Sequence, residues 1–348
     1  MDGIALIGAG IYPREAYLPA LHTIKATIVA VYSRSQKSAT ELIEAGKKFD
    51  GLCSADIKDY YDEEGAEQSG ITKLLQDPAI KAVIIAIPTP QQPSVAQQCL
   101  AAGKHVLMEK PITKDVASAR SLINEYEKTY LPKGLILSVA EQFRFDPGLE
   151  RARSIVAGGK IGTLQAVHAR IWQAIQPGNK WYETPWRKHP AYQGGFLLDG
   201  GVHFVALMRL ISRDEIVETK SFAKQMWEHL PPLDTVHAAI RFEKGAMGTF
   251  SLTFASSKQE YEYVFIGEKG NLTVSGAAGG TKLVVEDAKT KVAETEIVSA
   301  DGTYTDLFSS FGESIKQGKG DARGAARQAL ADVAVVESLC SGGGTVNI

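Results

Sequence analysis

Lys110, Asp199 and His203 combine side chains that can move a proton with positions that suit chemistry at a carbonyl or hydroxyl oxygen. Lys110 directly follows a short apolar run and precedes Pro111. A protonated lysine polarises a carbonyl oxygen and donates a proton to it during a reduction, and the neutral amine accepts one during an oxidation. Asp199 and His203 are four residues apart, so on a helix they share one face. His203 could relay the proton, and Asp199 could orient the imidazole or bind a substrate hydroxyl.

Each of these residues also has a plainer interpretation. Glu109 and Lys110 could be an ordinary exposed pair in a loop, and Asp199 and His203 could be a helix cap and a packed histidine. The latter two could also be half of a metal site, but no third ligand stands at helix or turn spacing to them, so we predict no metal. The choice between these interpretations therefore depends on the elements that position the residues.

Strands and helices alternate regularly up to about residue 142, which predicts a doubly wound parallel sheet of the α/β class. Continuous apolar runs such as Ala82–Ile87 are typical of strands buried on both faces. The run Val106–Met108 is another, and ligands bind at the carboxyl ends of strands in such a sheet. Pro111 fixes its own φ and favours an extended backbone at Lys110. We therefore expect Glu109 and Lys110 to face a ligand.

The first apolar run, Ile4–Ile7, leads into a glycine turn and a helix expected over Ala16–Ile24, the context that a dinucleotide fingerprint requires. A glycine permits the tight turn, and a second lets backbone N–H groups approach a pyrophosphate at the helix N-terminus. Pro13 stands where the fingerprint has its third glycine or alanine, so helix–strand packing must differ there. We expect these residues of the turn to bind the cofactor: Gly8, Gly10, Ile11 and Tyr12.

The residues after the next predicted strand, Ala26–Tyr32, predict which cofactor binds. An NAD-preferring protein carries an Asp or Glu there for the ribose 2′-hydroxyl, whereas this chain has Ser33, 20 residues past Pro13. Hydroxyls with basic side chains would bind a 2′-phosphate, the arginine by planar bidentate contact. We therefore predict NADP(H), the alternative being solvated turn residues. The predicted phosphate ligands are Ser33, Arg34, Ser35 and Lys37. Thr89 and Pro90, at the end of the strand Ala82–Ile87, are expected to wall the cofactor.

Beyond residue 142 the pattern changes to a helix and then several strand-like runs with polar alternation. Such runs predict a large, mostly antiparallel sheet with one face exposed to water or to a partner. We divide the chain into a nucleotide-binding domain at 1–142 and a second α/β domain at 143–348. Helices at Leu307–Gln317 and Ala322–Leu339 are expected to close the chain. Residues 54–70 show no clear period and are predicted to be irregular.

Composition excludes several classes of protein. The chain has 348 residues and a formal net charge of −2, and without a basic stripe it is not expected to bind nucleic acid. No apolar run approaches the ~20 residues of a membrane span. Three widely spaced cysteines fit neither a disulfide framework nor a metal site. We expect a cytoplasmic protein with reduced thiols.

Together these motifs resemble a known family. In order along the chain stand Gly8-Ala9-Gly10, Thr89-Pro90, the run from Ala101 to Pro111, and Gly194-Gly195 followed by Asp199 and His203. Over almost the whole chain they resemble the glucose–fructose oxidoreductase / inositol dehydrogenase (Gfo/Idh/MocA) family of NAD(P)-dependent oxidoreductases. The stretch from Trp186 to His203 looks most like its fungal NADPH-dependent branch.

The resemblance implies roles for particular residues. It implies a Rossmann domain followed by an α/β domain whose open sheet commonly forms a dimer interface. Lys110 is implied as the catalytic lysine, with Asp199 and His203 completing the acid/base set. Trp186 and Arg187 are implied to contact cofactor or substrate. Two departures are Pro13 and Ser94, the latter standing where many members have histidine.

Our leading hypothesis is an NADP(H)-dependent oxidoreductase that transfers a hydride between nicotinamide and a small carbonyl or polyol, with sugar-like compounds among the candidates. The first alternative is a non-catalytic NADP(H)-binding sensor or regulator of the same fold, which has no chemical need for all of Lys110, Asp199 and His203. The second alternative is a redox-assisted elimination or epimerisation that regenerates its cofactor in place. A homodimer or higher homo-oligomer through the carboxyl-terminal sheet is expected.

Overall fold

A computed structural model of the protein describes residues 1–65 and 67–347. Ala66, in the stretch predicted to be irregular, and Ile348, at the end of the second predicted domain, lie outside the described residues. The chain forms two compact units. The first comprises Met1–Thr113, Ala117–Gln142 and Tyr304–Gln328, and the second comprises Lys114–Val116, Phe143–Thr303 and Ala329–Ile348.

The first unit is built on a six-stranded parallel sheet, as predicted. Its strands are β1 (Ile4–Ile7), β2 (Ile28–Tyr32), β3 (Cys53–Tyr60), β4 (Ala82–Ile85), β5 (His105–Glu109) and β6 (Leu137–Ala140). Their order is β3-β2-β1-β4-β5-β6. The strands that follow β1 in the chain are thus added on one side of it up to β3 and on its other side from β4 onward, so the switch point lies between β1 and β4. Ligands bind at such a switch point, outside the carboxyl ends of the strands. β1 and β4 are buried along their whole length, because helices cover both faces of such a sheet.

Eleven α-helices are found among the described residues. In chain order they are α1 (Leu18–Thr23), α2 (Gln36–Gly46), α3 (Gly70–Leu75), α4 (Gln92–Ala101), α5 (Val116–Glu125), α6 (Pro147–Ala157), α7 (Pro185–Lys188), α8 (Phe196–Asp199), α9 (Gly201–Ser212), α10 (Thr303–Gln317) and α11 (Ala326–Cys340). Two π-helical segments cover Pro13–Tyr17 and Tyr126–Tyr130. Short 3₁₀ turns cover Thr89–Gln91, Leu131–Lys133, Gln142–Phe145 and Ala322–Gly324.

The prediction of an irregular segment over 54–70 is wrong, because β3 occupies its first part and α3 begins at its end. β3 is an edge strand that pairs with β2, from Ile28–Cys53 to Tyr32–Tyr60. None of its residues is fully buried, so its sequence lacks the apolar run of the central strands. Its strand geometry comes from pairing with β2.

The second unit contains a nine-stranded sheet that is mostly antiparallel, as predicted. Its strands are β7 (Leu164–Ala174), β8 (Ile216–Lys224), β9 (Thr235–Phe242), β10 (Met247–Thr253), β11 (Ala255–Gly267), β12 (Gly270–Ala277), β13 (Gly280–Asp287), β14 (Ala293–Ser299) and β15 (Gly343–Thr345). Their order is β14-β13-β12-β11-β7-β10-β9-β8-β15, with β7 and β10 parallel. β9 alternates between buried and exposed residues, so one face of the sheet is covered and the other is open.

The second unit also holds a buried charge network. Arg144 and Arg209 both donate to the Asp332 carboxylate, and all three residues are almost fully buried. Arg209 additionally binds Glu215 through two nitrogens. A buried ion group of this kind tolerates loss of a partner poorly, because the remaining charge stays desolvated.

The observed units differ from the predicted domains in the carboxyl-terminal part of the chain. Residues 304–328, which include nearly all of α10, belong to the first unit instead of a domain over 143–348. The apolar face of α10 provides the reason, because Phe308 packs edge-on against the ring of Tyr17, 5.1 Å between centroids. Ala325 also forms a bridge with Ser138 of β6.

No helix in the described part of the chain is both long and apolar enough to cross a membrane.

Candidate active site

The glycine turn after β1 has the geometry expected of a pyrophosphate site. Gly8 has φ +110°, and a Cβ added there would lie 2.2 Å from the carbonyl oxygen of Ala86. Gly8 is therefore required by the close approach of the chain after β4. Gly10 differs, since a Cβ added there would meet no atom within 4 Å. The space over Gly10 is open, which is the cradle that a bound pyrophosphate would fill.

The helix that follows the turn begins at Ile11 and passes into the π-helical segment Pro13–Tyr17. The first N–H groups of a helix have no partner within the helix, so an N-terminus placed directly after the glycine turn suits an anion. Pro13 fits because a proline in the first helical turn gives up a hydrogen bond that is unsatisfied anyway. The departure from the third glycine thus coincides with a π-helical turn, a feature frequent at functional sites.

The predicted 2′-phosphate ligands lie together after β2, but they do not share one environment. Arg34 is exposed, and within residues 1–65 and 67–347 its guanidinium makes no hydrogen bond or ion pair. Lys37 is highly exposed, with Nζ 4.0 Å from Glu41. Ser35 caps α2 by accepting from the backbone N–H of Ser38 at 3.3 Å. Arg34 is thus the strongest of these candidates, and Ser35 has a structural role as well. Ser33 donates its backbone N–H to Tyr60 of β3.

Thr89 and Pro90 form the 3₁₀ turn between β4 and α4, with Thr89 buried. Beside them the structure adds a residue that the sequence analysis missed. Gln92 is 1% exposed, and its Oε1 has no hydrogen-bond partner among the described residues. A buried amide oxygen without a partner is costly, so a bound group that donates to it is favoured. A glutamine in an amphipathic helix gives no such signal from sequence.

Glu109 and Lys110 stand at the carboxyl end of β5, as predicted, and both are buried. Glu109 Oε2 accepts from the backbone N–H of Lys110 at 3.2 Å. Glu109 Oε1 accepts from the hydroxyl of Tyr17, in the π-helical segment after the glycine turn. The bond joins residues 92 positions apart in the chain. The peptide bond between Lys110 and Pro111 is cis.

Two further tyrosines of the first unit lie close to the ring of Tyr17. The rings of Tyr12 and Tyr304 each lie 6.3 Å from that of Tyr17, and Tyr304 forms a side-chain hydrogen bond with Tyr12. Burial raises the pKa of Tyr17 well above its ordinary value, and the neighbouring Glu109 carboxylate raises it further. The pKa of Tyr304 is raised in the same way, first by burial. Both hydroxyls therefore stay protonated, which makes them donors.

In the second unit, Asp199 forms an ion pair with Arg187. Arg187 Nε donates to Asp199 Oδ2 at 2.7 Å, and the two side chains are 10% and 9% exposed. The guanidinium also stacks on the ring of Trp186, 4.0 Å from its centroid. Arg187 further donates to the hydroxyl of Thr184. The structure thus places the predicted residues Trp186, Arg187 and Asp199 together.

His203 is not on the same helical segment as Asp199, which corrects the expectation of a single helix. Asp199 ends α8, and His203 is the third residue of α9, with Gly200 between the two segments. A Cβ at Gly200 would lie 2.6 Å from the ring of Phe254, so the chain needs glycine at this step. The imidazole of His203 stacks on Phe143 at 4.8 Å between centroids.

Tyr192 is a further residue near Asp199 that the sequence did not single out. It is 8% exposed. Its pKa is raised, first by burial and then by the charge of Asp199, while Arg187 acts in the opposite direction. The hydroxyl of Tyr192 therefore stays neutral beside the carboxylate. Among the described residues, no group of three or more His, Cys, Asp or Glu could hold a metal ion.

Comparison with known proteins identifies the family. Residues 3–137 match a family model described as an oxidoreductase family with an NAD-binding Rossmann fold. Residues 149–273 match the GFO/IDH/MocA C-terminal domain. The chain is 34% identical to dehydrogenase FPY6 of Fusarium mangiferae, covering 97% of this chain and 95% of that protein. It is 29% identical to trans-1,2-dihydrobenzene-1,2-diol dehydrogenase of Mus musculus, covering 64% of this chain and 66% of that protein.

Solved structures share the fold over nearly the whole chain. An oxidoreductase from Thermotoga maritima has a TM-score of 0.84 at 29% identity, covering 99% of this chain and 98% of its own. KijD10, a 3-ketoreductase from Actinomadura kijaniata in complex with NADP and TDP-benzene, has a TM-score of 0.76 at 21% identity, covering 97% of each chain. At 21% identity, the likeness to KijD10 shows the fold alone. The matches to both halves of the chain and the relative spanning its length establish that this protein belongs to the Gfo/Idh/MocA family of NAD(P)-binding oxidoreductases.

Proposed function

We propose that the protein is an NADP(H)-dependent oxidoreductase that interconverts a small carbonyl compound and the corresponding alcohol or polyol. The observation that carries the proposal is Lys110, a buried lysine at the carboxyl end of β5 in a sheet whose first strand ends in an open glycine cradle. Membership of an oxidoreductase family with an NAD-binding Rossmann fold supports it. When bound, the cofactor would supply or accept the hydride.

Lys110 would handle the proton that accompanies the hydride. During reduction its Nζ would donate a proton to the carbonyl oxygen, which becomes the hydroxyl, and the lysine would be left as a neutral amine. During oxidation the amine would take the proton from the substrate hydroxyl. Proton transfer by a positioned side chain contributes on the order of 10²- to 10⁴-fold to the rate. His203 would complete the acid/base set, and Asp199, whose carboxylate is paired with Arg187, would bind a substrate hydroxyl.

The preference for NADP(H) is proposed from Arg34. Its exposed guanidinium follows β2 and has no carboxylate partner within residues 1–65 and 67–347, so it is available to a 2′-phosphate. Ser33 replaces the acidic residue that would repel this phosphate. The rest of the cofactor would contact the glycine turn and the turn after β4, through Gly10, Ile11, Tyr12, Thr89 and Pro90.

The substrate class is proposed as a small hydroxylated ring or sugar-like compound. The mouse relative is named for a vicinal diol on a six-membered ring, which is consistent with this class. Trp186 and the buried hydroxyl of Tyr192 near Asp199 offer an apolar face and a donor of the kind that such a molecule needs.

The test is NADPH oxidation, followed by absorbance, over a panel of aldehydes, ketoses and diketones, with NADH in parallel. We expect turnover with NADPH that Lys110→Ala lowers by about 10²-fold or more. The matched control is Lys81→Ala, an exposed lysine of the same unit that should keep wild-type rates. Tight NADPH binding without turnover on any panel member would instead favour a cofactor-binding sensor. A substrate converted without net NADPH consumption would favour redox-assisted elimination or epimerisation.

We also propose that the open face of the second unit's sheet pairs with a second copy of the chain. Phe222 on β8 is 88% exposed and Met247 on β10 is 63% exposed, both on this face. Large apolar side chains on an open face mark interaction surfaces. Light scattering after gel filtration should give a dimeric mass for the wild type and a lower mass for Phe222→Glu/Met247→Glu. A monomeric wild type would refute this part.

A further inference from the structure

The carboxylate of Glu109 links Tyr17 to the backbone of Lys110. One of its oxygens accepts from the Tyr17 hydroxyl, and the other accepts from the Lys110 backbone N–H at 3.2 Å. Tyr17 is 0% exposed, Glu109 8% and Lys110 7%. A hydrogen bond to an ionised carboxylate is roughly twice as strong as a neutral one, and a water-poor setting strengthens it further.

Packing against neighbouring aromatic rings holds the Tyr17 side chain in place. It is the last residue of the π-helical segment Pro13–Tyr17, directly downstream of the glycine turn. Its ring packs edge-on against Phe308 and lies beside Tyr304, both contributed by α10. Burial keeps its hydroxyl protonated, as described above. The tyrosine is therefore a fixed donor to the Glu109 carboxylate.

We propose that Tyr17 is a positioning residue that fixes the backbone at Lys110 through Glu109. The inference rests on the proposed role of Lys110 as the proton donor. Removal of the hydroxyl would leave a buried carboxylate with one donor fewer, and such a group reorients toward other donors. The lysine backbone would then lose a constraint, and its amine would sit less often where the substrate oxygen needs it. The competing explanation is that Tyr17 only fills the core of the first unit.

The first experiment compares Tyr17→Phe with a matched control, Tyr126→Phe. Tyr126 is also a buried tyrosine in a π-helical segment of the first unit, but its hydroxyl donates to the backbone carbonyl of Leu135. In Tyr17→Phe we expect kcat to fall roughly 10- to 100-fold, the scale of a misplaced catalytic group. The KM for substrate and the Kd for NADPH should stay near wild type. In Tyr126→Phe all three should stay near wild type.

A double-mutant cycle tests the path through Glu109. If Tyr17 acts through this carboxylate, Tyr17→Phe should cause little further loss of kcat in a Glu109→Met background. Losses that multiply independently would overturn the proposal. So would equal losses in Tyr17→Phe and Tyr126→Phe, which would mark a general packing effect.

A second readout does not depend on turnover. The full-length wild type and the two Tyr→Phe variants are treated with trinitrobenzenesulfonate, and modification of each lysine is followed by peptide mass mapping. In Tyr17→Phe we expect Lys110 to react several-fold faster, because its segment opens more often, while other lysines keep their rates. An unchanged rate at Lys110 would overturn the proposal. Absence of turnover in the wild type would instead overturn the proposed function, with the labelling result still deciding the link.

Discussion

Arg187 Nε lies 2.7 Å from Asp199 Oδ2, and both side chains are largely shielded from solvent. The spacing of Asp199 and His203 predicts that these two residues act together, whereas the structure gives the carboxylate a cation 12 residues upstream. An ionised carboxylate held by a guanidinium is a poor general base, because its negative charge is already stabilised. Asp199 is therefore better suited to bind a hydroxyl or to fix Arg187 than to abstract a proton.

Removal of Arg187 should be costly to the fold. We expect Arg187→Met to lower the free energy of unfolding by about 3 kcal/mol, because Asp199 becomes a buried charge without its cation. Arg187→Met/Asp199→Leu should recover part of this loss. Chemical denaturation measures both. The control is Arg151→Met, which breaks an exposed ion pair with Glu296 and should change stability by about 0.5 kcal/mol or less. Equal costs for the single and double variants would contradict the assignment.

The two glycines of the turn should respond differently to alanine. Gly8→Ala should lower stability by about 2 kcal/mol or more, because a Cβ at positive φ would collide with the Ala86 carbonyl. Gly10→Ala should fold with nearly unchanged stability, since its Cβ meets open space. Its Kd for NADPH should nevertheless rise about 10-fold, or ~1.4 kcal/mol, because the methyl occupies the pyrophosphate cradle. Thermal denaturation and cofactor titration separate the two effects. Normal NADPH binding by Gly10→Ala would argue against this location for the cofactor.

Cofactor preference should depend on Arg34. We expect Arg34→Ala to raise the Kd for NADPH by roughly 10- to 100-fold, the value of a lost charge-assisted hydrogen bond, and to leave NADH almost unaffected. Fluorescence titration with both cofactors provides the measurement. Arg14→Ala is the matched control, because Arg14 is an arginine of the same unit paired with Glu41. A parallel loss of both cofactors in Arg34→Ala would show that Arg34 does not read the 2′-phosphate.

Asp77 should make stability depend on pH. Hydrogen bonds from Lys58, the Ala79 backbone and Tyr60 lower the pKa of Asp77 from 3.8 to about 2. Because the folded pKa is depressed, this stabilisation is fully present above about pH 4 and is lost as the pH falls through about 2. The contribution is about 1 to 2 kcal/mol, since Lys58 is partly exposed.

Asp77→Asn should therefore be less stable than wild type at pH 7, with the difference shrinking toward pH 2. Urea denaturation across this range provides the measurement. Asp56→Asn, an exposed carboxylate on β3, is the control and should follow the wild-type curve. A difference that stays constant from pH 7 to pH 2 would show that the carboxylate charge is not responsible.

The central strands of the first unit follow directly from local sequence. β1, β2, β4 and β5 are short apolar runs bounded by turn residues, and such runs form strands buried on both faces. The edge strands β3, β14 and β15 were not predicted, because an edge strand needs no apolar face. β14 is exposed along nearly its whole length, and it is a strand because β13 pairs with it.

The candidate site likewise has some features that local sequence predicts and others that it does not. The order of residues alone places Gly8 and Gly10 after β1, Arg34 after β2 and Lys110 after β5, because strand ends and glycine turns are local features. The roles of these residues stay predictions that the experiments above test. Other features depend on contacts that only the folded chain makes: the Tyr17–Glu109 bond across 92 positions, the Arg187–Asp199 pair, and the membership of residues 304–328 in the first unit. A hydrogen bond or ion pair leaves no periodic trace in sequence, so these partners emerge only when the folded backbone brings them within reach of each other.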